Sequence, residues 1–374
     1  MLSKSHLVVL IFSLLFITSI VILPSNLSAD RPTETIYMAE GTEFLEIDVE
    51  NWEVNRTIDL DGTSVDFYYD ERSDKLYGTV GAVNKLHRIN TSTFKIEDTF
   101  AGHTFNVHDA RVNHEDNELY SASSDATLRK LDLETMEQED IIEYDHSTLE
   151  IEYYEETNTI FPFTSEYALY KVNAEEFNNT EKVTGFPQEC RKGTINKQDK
   201  EIYCTAAKGT IYALEFSDFE RYDTFDELPS SKYNSLGLNT TYESLNRSEQ
   251  IAVDNALIHA DYSSVRDKIY TGGSSGLLYE VDADTLEVER TYNISKNREI
   301  EYNYEKYRNF SSIKDGEHIY EDDLRGVSLG TDHEYLYITT APGALIEIDL
   351  ETFEEVRRMN TSPGTRTVHL ETVG

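Results

Sequence analysis

The chain has 374 residues, of which 33 are Lys or Arg and 71 are Asp or Glu, and its formal net charge is -38. This excess of acid argues against a general nucleic-acid-binding protein and against an anionic bilayer as a partner, because phosphate groups are bound by clustered Lys and Arg. The 39% apolar residues, with 25 Tyr and 16 Phe, argue against disorder and predict a folded protein rich in β-sheet.

The N-terminus carries an export signal. Residues 7–23 form an uncharged apolar run that follows Lys4, and such a run predicts export from the cytoplasm. Two alternatives stay open: residues 1–29 are a signal peptide that is cleaved after Ala29, or the run is an uncleaved N-terminal membrane anchor. In either case the body of the protein, residues 30–374, is expected to be secreted or to lie at the cell surface.

Glycosylation motifs and the acidic charge fit an extracellular setting. N-x-S/T motifs begin at Asn26, Asn55, Asn90, Asn178, Asn239, Asn246, Asn293, Asn309 and Asn360. They suggest a glycoprotein, although a chain rich in Asn and Thr forms several by chance. The like charges would repel one another in dilute salt and are screened at molar salt, where the Debye length is about 3 Å. The composition resembles that of proteins from halophilic archaea; a merely acidic secreted protein is the alternative.

A repeated unit is the strongest structural signal in the chain. An apolar-aromatic pair recurs, with its aromatic residue at Tyr37, Tyr77, Tyr120, Phe161, Tyr203, Tyr270 and Tyr337. The first four intervals are 40 to 43 residues and the last two are 67. Each pair is followed by a turn, an alternating strand, a short polar turn and an outer strand. A period of about 40–45 residues with this content is that of a four-stranded propeller blade.

The repeats predict an all-β protein, a seven-bladed β-propeller of four-stranded antiparallel blades. The first repeat lacks an innermost strand, whereas residues 365–370 follow the last repeat as a strand without a blade. We expect that C-terminal strand to complete blade one, because closing the ring leaves no bare sheet edge between the two ends.

The third repeat resembles the WD40 pattern. The likeness is carried by Gly102-His103, by Asp109 and by residues 119–132, LYSASSDATLRKLD. In the WD40 family His, Ser/Thr, Asp and Trp form a structural hydrogen-bonded tetrad. The resemblance implies these roles for His103, Ser121 and Asp125, with Leu131 in the place of Trp. Other repeats, such as LYEVDADTLEV, look like the YVTN or quinoprotein-like propellers of exported prokaryotic proteins. These folds host unrelated functions, so the resemblance implies the fold and leaves the activity open.

Two connections are longer than the period requires, one near residues 222–250 and one near 293–320. Both lie between the outer strand of one blade and the inner strand of the next, and in a propeller those connections share one face. Loops of this length are usually functional or disordered. The second contains the aromatic residues Tyr302, Tyr304, Tyr307 and Phe310. They suggest a lid or a binding surface; a solvated decoration of its own blade is the alternative.

The inner strands bring polar residues to the mouth of the channel on that same face. Counting back eleven or twelve positions from the aromatic anchors gives Asp66, His108 with Asp109, Glu150, Arg191 with Lys192, His259 and Arg325, and the closing strand adds Arg366. A ring of mixed charge at a concave mouth predicts a pocket for a small polar ligand or a peptide. Polar residues around a wet channel, without a specific ligand, are the alternative.

Cys190 and Cys204 fall on the inner and second strands of blade five. A hairpin centred on residue 197 sets them nearly opposite each other, where cross-strand partners lie about 4.5–5.5 Å apart. This arrangement predicts a disulfide in an oxidising compartment. Two free thiols in a slipped register are the alternative.

The sequence predicts no metal and no cofactor, since it has no paired Cys/His spacing, H-E-x-x-H, phosphate-binding loop or G-x-S-x-G. Two function classes remain. The first is a non-enzymatic scaffold, expected to be monomeric, that binds a protein, peptide or glycan at the cell surface through the inserted face. The second is an exported enzyme, a lyase, hydrolase or quinone-dependent dehydrogenase, which would use His108, Asp109, His259 and the arginines at the channel mouth.

Overall fold

The computed structural model describes residues 34–166, 168–184, 190–206, 210–216, 221–225, 257–273, 276–294, 323–341, 344–360 and 367–373. The expected signal or anchor in residues 1–29, most of both insertions, the four aromatic residues of the second insertion and Arg366 lie outside these ranges. Within them, the helical structure is a single 3-10 turn, Glu155–Thr157, and no helix is long and apolar enough to cross a membrane.

Seven four-stranded antiparallel sheets confirm the predicted propeller. Blade 1 contains β1 (Thr35–Glu40), β2 (Glu43–Asp48), β3 (Glu53–Asp59) and β28 (Thr367–Val373). Blade 2 contains β4 (Ser64–Asp70), β5 (Lys75–Val80), β6 (Lys85–Asn90) and β7 (Lys95–Phe100). Blade 3 contains β8 (Val107–Asn113), β9 (Glu118–Ser123), β10 (Thr127–Asp132) and β11 (Gln138–Glu143). Blade 4 contains β12 (Thr148–Tyr154), β13 (Thr159–Thr164), β14 (Ala168–Asn173) and β15 (Thr180–Val183).

In the remaining three blades, as in blades 2 to 4, the strands follow one another along the chain from inner to outer strand. Blade 5 contains β16 (Cys190–Asn196), β17 (Glu201–Ala206), β18 (Thr210–Glu215) and β19 (Arg221–Phe225). Blade 6 contains β20 (Leu257–Ser263), β21 (Lys268–Gly273), β22 (Leu277–Asp282) and β23 (Val288–Asn293). Blade 7 contains β24 (Asp323–Leu329), β25 (Tyr335–Ala341), β26 (Ala344–Asp349) and β27 (Glu354–Asn360).

The two ends of the chain meet in blade 1. β28 pairs antiparallel with β1, with Thr35 opposite Val373 and Met38 opposite Leu370, and the sheet order is β28-β1-β2-β3. The prediction that the C-terminal strand completes blade 1 is therefore confirmed, although the strand extends to Val373 rather than ending at residue 370. The ring is thus closed by backbone hydrogen bonds inside one blade.

The inner strands line a central channel. They are β4, β8, β12, β16, β20, β24 and β28, and each contacts the inner strand of the next blade around the ring. We define the top face as the end at which inner strands begin and outer strands finish, and the bottom face as the opposite end. The two insertions join β19 to β20 and β23 to β24. Both therefore leave from and return to the top face, on either side of blade 6.

The aromatic residues that define the repeat receive a side chain from the next blade. In six blades, the turn between the third and outer strands presents a large apolar residue to the aromatic anchor of the preceding blade; the equivalent residue of blade 5 lies outside the described residues. The pairs are Trp52 with Tyr337, Phe94 with Tyr37, Met136 with Tyr77, Phe177 with Tyr120, Leu286 with Tyr203 and Phe353 with Tyr270. The sequence period thus marks the seams between blades.

Local turn chemistry sets this apolar residue in place. In blade 6, Asp282 Oδ1 accepts a hydrogen bond from the backbone N–H of Thr285 at 2.9 Å. The next residue, Leu286, has a φ of 54°. The Asp side chain stabilises the turn, and the left-handed residue that ends it redirects the chain so that its side chain enters the seam.

Three seams also contain an arginine clasp, in which a Glu of the third strand pairs with an Arg of the outer strand. The pairs are Glu46–Arg56, Glu280–Arg290 and Glu347–Arg357. In blade 6, Arg290 Nε donates to Glu280 Oε1 at 2.5 Å and Nη2 donates to the carbonyl oxygen of Leu350 in blade 7 at 2.8 Å. The guanidinium carbon lies 4.6 Å from the ring centroid of Phe353. Each clasp therefore joins a carboxylate of one blade to the turn of the next.

Candidate functional site

A one-residue bulge near the start of each inner strand divides the predicted mouth residues into two positions. The residues directly after the bulge are Asp66, Asp109, Glu150, Lys192, His259, Gly326 and His369. The predicted residues His108, Arg191 and Arg325 are the bulged residues themselves. A bulge adds one residue to one strand of the ladder and re-aims the side chains beside it. The two positions therefore lie differently with respect to the channel.

Five of the seven residues after the bulges meet in one cavity of about 400 Å³, here named the upper channel cavity. Five predicted residues line it: Asp66, Asp109, Glu150, Lys192 and His259. Sequence reasoning missed Arg111, Glu152 and Asp261, which also line it. Each lies two positions after a predicted residue on the same inner strand. Because alternate residues of a strand share a face, the period-two pattern would have found all three.

Lys192 is the central cation of this cavity. Its Nζ pairs with Asp66 Oδ2 and lies 3.5 Å from Glu150 Oε1. Burial lowers the pKa of Lys192, but the neighbouring carboxylates of Asp66 and Glu150 outweigh it and hold that pKa above its usual value. Lys192 therefore stays charged and joins the inner strands of blades 2, 4 and 5.

A second ion-pair group lies deeper in the channel. Arg111 Nη1 donates to Asp109 Oδ1 at 2.6 Å, and Nη2 donates to Glu152 Oε1 at 3.3 Å. Burial raises the pKa of the Asp109 and Glu152 carboxyls, and the adjacent guanidinium opposes that rise. The Arg111 guanidinium also lies 5.2 Å from the ring centroid of Tyr68 in blade 2. This group thus spans three consecutive blades.

Several acidic residues of the channel bind the backbone of the next blade. Asp109 Oδ2 accepts from the N–H of Ile151 at 2.9 Å, and Glu150 Oε2 accepts from the N–H of Gly193 at 3.0 Å. Asp261 Oδ2 accepts from the N–H of Leu329 at 2.9 Å. Buried backbone N–H groups need such partners. These carboxylates therefore hold adjacent inner strands together.

The histidines and arginines predicted at the mouth differ in their surroundings. Within blade 3, His108 Nε2 lies 2.5 Å from Oγ of Ser124, which belongs to the top turn between β9 and β10. His259 is buried, and its carbonyl oxygen accepts from Thr271 Oγ1 at 2.7 Å. Arg325 is half-buried at the bulge of β24. The side chain of Arg191 and all of Arg366 lie outside the described residues.

The residues of the WD40-like pattern are hydrogen-bonded to one another. His103 Nε2 lies 2.9 Å from Ser121 Oγ, and His103 Nδ1 lies 3.0 Å from Asp125 Oδ2. Asp125 also accepts from the N–H of Thr104 at 2.9 Å. Burial lowers the pKa of His103, and the hydrogen bonds of Asp125 lower the pKa of its carboxyl. Leu131, in the position of the family's Trp, is fully buried.

Cys190 and Cys204 are joined by a disulfide, with Cα atoms 5.8 Å apart. The register differs from the expected one: Cys190 lies opposite Ala206 and Cys204 lies opposite Gly193. The two residues are therefore diagonal neighbours rather than nearly opposite. The expected register was wrong because Asn196 lies opposite Glu201, so the hairpin is centred between residues 198 and 199 and not on residue 197; the bulge at Arg191 then brings Cys190 one position closer to Cys204.

The described carboxylates of the channel take part in ion pairs with lysine or arginine, or accept hydrogen bonds from backbone N–H groups of the next blade. Among the described residues, no group of three or more His, Cys, Asp or Glu side chains could hold a metal ion. On these contacts, the arrangement holds several neighbouring inner strands of the ring together.

Comparisons with known proteins identify the fold alone. No protein-family model and no curated protein matches this chain. Among solved structures, the chain is similar to the β-propeller domain of Cps50 (Swd1) from Myceliophteria thermophila, with a TM-score of 0.61 and 11% sequence identity. The alignment covers 83% of this chain and 90% of that domain. At this identity the similarity is one of architecture, and it agrees with the resemblance of the third repeat to WD40 propellers.

Proposed function

We propose that this protein is an exported, non-enzymatic binding scaffold that engages its partner through the top face, which carries the two inserted connections. The observation that carries the proposal is the position of the two long connections. Residues 226–256 and 294–322 leave from the top ends of β19 and β23, on either side of blade 6. Every other described connection between blades on that face is much shorter. Long loops held on a rigid frame are where propellers and other scaffolds carry recognition.

The contacts of the channel favour a scaffold over an enzyme. A general acid or base needs to be within hydrogen-bonding reach of a substrate atom. The upper channel carboxylates instead bind Lys192, Arg111 and backbone N–H groups of the next blade. Their loss is expected to loosen the ring before it affects any bound molecule, as is typical of structural ion pairs.

The partner is a protein, peptide or glycan at the cell surface. The apolar run at residues 7–23 and the N-x-S/T motifs support export, and the aromatic residues of the second insertion support recognition of a macromolecule. Phe105, in the top connection between β7 and β8, adds a large apolar side chain that is 58% exposed on the same face. These features together favour docking on the top face.

Site-specific photo-crosslinking tests the proposal. A photoreactive phenylalanine analogue is introduced at Phe105 on the top face or, as the matched control, at Val265, which is 72% exposed in the bottom turn between β20 and β21. The full chain is then irradiated on the surface of the cells that produce it, in their growth salt. We expect a discrete adduct from position 105, lost when Tyr302, Tyr304 and Tyr307 are replaced by alanine, and none from position 265.

Two results would contradict this function. Equal adducts from both positions would show that the top face has no preferred role. Retention of the chain in the cytoplasmic fraction would remove the export on which the choice of partner rests, and cell fractionation before irradiation separates that failure from a failure of docking.

A further inference from the structure

A second cavity lies at the bottom end of the channel, away from the proposed docking face. This lower channel cavity has a volume of about 480 Å³ and is lined in part by Tyr68, Tyr69 and Tyr153 and by Arg72 and Lys197. Tyr68 and Lys197 also line the upper channel cavity. Its volume falls within the range of about 300–1,000 Å³ that is usual for small-molecule sites.

Two cations of the lower cavity are not used by the fold. The chain has 71 acidic and 33 basic residues, so a cation without an acidic partner is unexpected. Among the lysines and arginines whose side chains the structure describes, Arg72, Lys95 and Lys197 take part in neither an ion pair nor a hydrogen bond. Arg72 and Lys197 both line the lower channel cavity, and both are exposed. The fold therefore leaves two positive groups at the bottom mouth for something outside the chain.

The other groups of the cavity limit what it can bind. Asp70 is paired with His114, whose Nε2 lies 2.7 Å from Asp70 Oδ1. Glu71 and Glu155 remain exposed at the rim. These carboxylates line the same cavity as the two cations and disfavour phosphates and other polyanions by like-charge repulsion, so any anion bound at Arg72 and Lys197 should carry a single charge.

The tyrosines give the cavity its apolar wall. Tyr68, Tyr69 and Tyr153 are all half-buried, so part of each side chain is open to the cavity. Tyr69 packs against Tyr37 with ring centroids 5.7 Å apart, and Tyr153 packs against Tyr120 at 5.9 Å. Their positions are therefore fixed by the blade cores. Rigid aromatic side chains provide contact area for a ring at low cost in conformational entropy.

We propose that the lower channel cavity binds a small organic monoanion, a carboxylate carried on a ring, with the carboxylate at Arg72 and Lys197 and the ring against the tyrosines. Arginine can bind a carboxylate through two parallel hydrogen bonds, and lysine adds a point charge. The same chemistry is presented by a sugar acid and by an aromatic acid, and the experiment distinguishes the two.

Isothermal titration of the full chain tests this site, at the lowest salt in which the protein stays folded. The probes are glucuronate with glucose as its neutral counterpart, and phenylacetate with phenylacetamide as its neutral counterpart. We expect one of the two acids to bind and its neutral counterpart to bind at least about tenfold more weakly. The affinity should fall as salt is added, because exposed charges are screened.

Matched variants locate the binding. Arg72→Met and Lys197→Met should each weaken the acid roughly tenfold, which is the usual effect of losing one charged hydrogen bond. Lys95→Met removes the third such cation, outside the cavity, and should leave the affinity unchanged. Equal thermal midpoints would show that all three variants are folded. Absence of binding by both acids, an equal loss in Lys95→Met, or tighter binding of pyrophosphate than of either acid would overturn the proposal.

Discussion

At the scale of single residues, His108 is held in its neutral form at the top of the channel. Burial, together with the positive charge of Lys192, lowers the pKa of His108 to about 4. The unfolded chain binds a proton at this residue near pH 6.5. The stabilisation from the neutral form is therefore complete above pH 6.5 and is lost as the pH falls from 6.5 towards 4. It amounts to about 3 kcal/mol at most, since each pKa unit corresponds to about 1.4 kcal/mol.

The variant His108→Gln should make the unfolding free energy less dependent on pH. Glutamine can keep a hydrogen bond to Ser124 but does not titrate. We expect the loss of stability between pH 7 and pH 4 to be smaller in the variant than in the wild type, as measured by denaturant unfolding at fixed salt. His146→Gln, at an exposed position, is the control and should follow the wild type. An identical pH dependence in all three proteins would show that His108 is not desolvated.

Residue-level contacts around the channel were only partly predictable from the sequence. Counting back from the aromatic anchors found Asp66, Asp109 and Glu150 because the repeat fixes the length of each hairpin. It did not separate His108 from Asp109, since a bulge leaves no signature in a single sequence. The expected register of the two cysteines was wrong for another reason, since the β16–β17 hairpin is centred between residues 198 and 199 and not on residue 197. Exposure and pairing, as for Arg72 and Lys197, depend on neighbouring blades and could not be read from one repeat.

At the scale of elements, the arginine clasp should be a main contributor to each seam that has one. In Arg290→Met, the almost fully buried Glu280 keeps its hydrogen bond from Tyr270 but loses the guanidinium. Breaking one side of a buried ion pair costs roughly 3–5 kcal/mol. We expect a smaller loss than this in the free energy of unfolding, because the Arg290 side chain is 32% exposed and the pair is therefore partly solvated. The double variant Arg290→Met with Glu280→Gln should recover much of it, because no buried charge is then left. A single variant as stable as the wild type would count against the clasp.

The C-terminal strand should be required for a folded ring. Without residues 363–374, β1 loses its inner partner, and β24 and β4 lose the strand packed between them. We expect this truncated chain to unfold without cooperativity or to aggregate through the bare edge. Circular dichroism during thermal unfolding measures the difference.

A permuted chain provides the matched control for this truncation. Residues 363–374 are moved in front of Thr35 through a four-residue turn like the one at residues 71–74 between β4 and β5. The strand then pairs with β1 in the register of an ordinary blade, and cooperative unfolding should return. A truncated chain that melts like the full chain would show that the strand is dispensable.

At the scale of the whole molecule, the number and order of the blades and the shared face of the two insertions followed from the sequence, whereas the contacts inside the channel needed the structure. The aromatic period reports the seams between blades, so it counts blades correctly even where an insertion lengthens the interval from 40 to 67 residues. The two channel cavities arise from seven strands that are distant in the chain. The ion pairs of the upper cavity, the unpaired Arg72 of the lower cavity and Lys197, which lines both, are therefore properties of the closed ring.

The net charge of -38 should make the stability of the whole ring depend on salt. Acidic residues repel one another more in the folded state than in the expanded chain, and this repulsion is screened as the Debye length falls from about 10 Å at 0.1 M salt to about 3 Å at 1 M. We expect the thermal midpoint to rise by on the order of 10 °C between 0.1 and 2 M NaCl, which corresponds to several kcal/mol for a chain of this size. KCl should act equally, because screening does not depend on the cation. Sucrose at matched water activity should raise the midpoint much less, since it acts by exclusion from the surface. An equal rise in sucrose, or none in either salt, would show that the acidic surface is not limiting the stability of the fold.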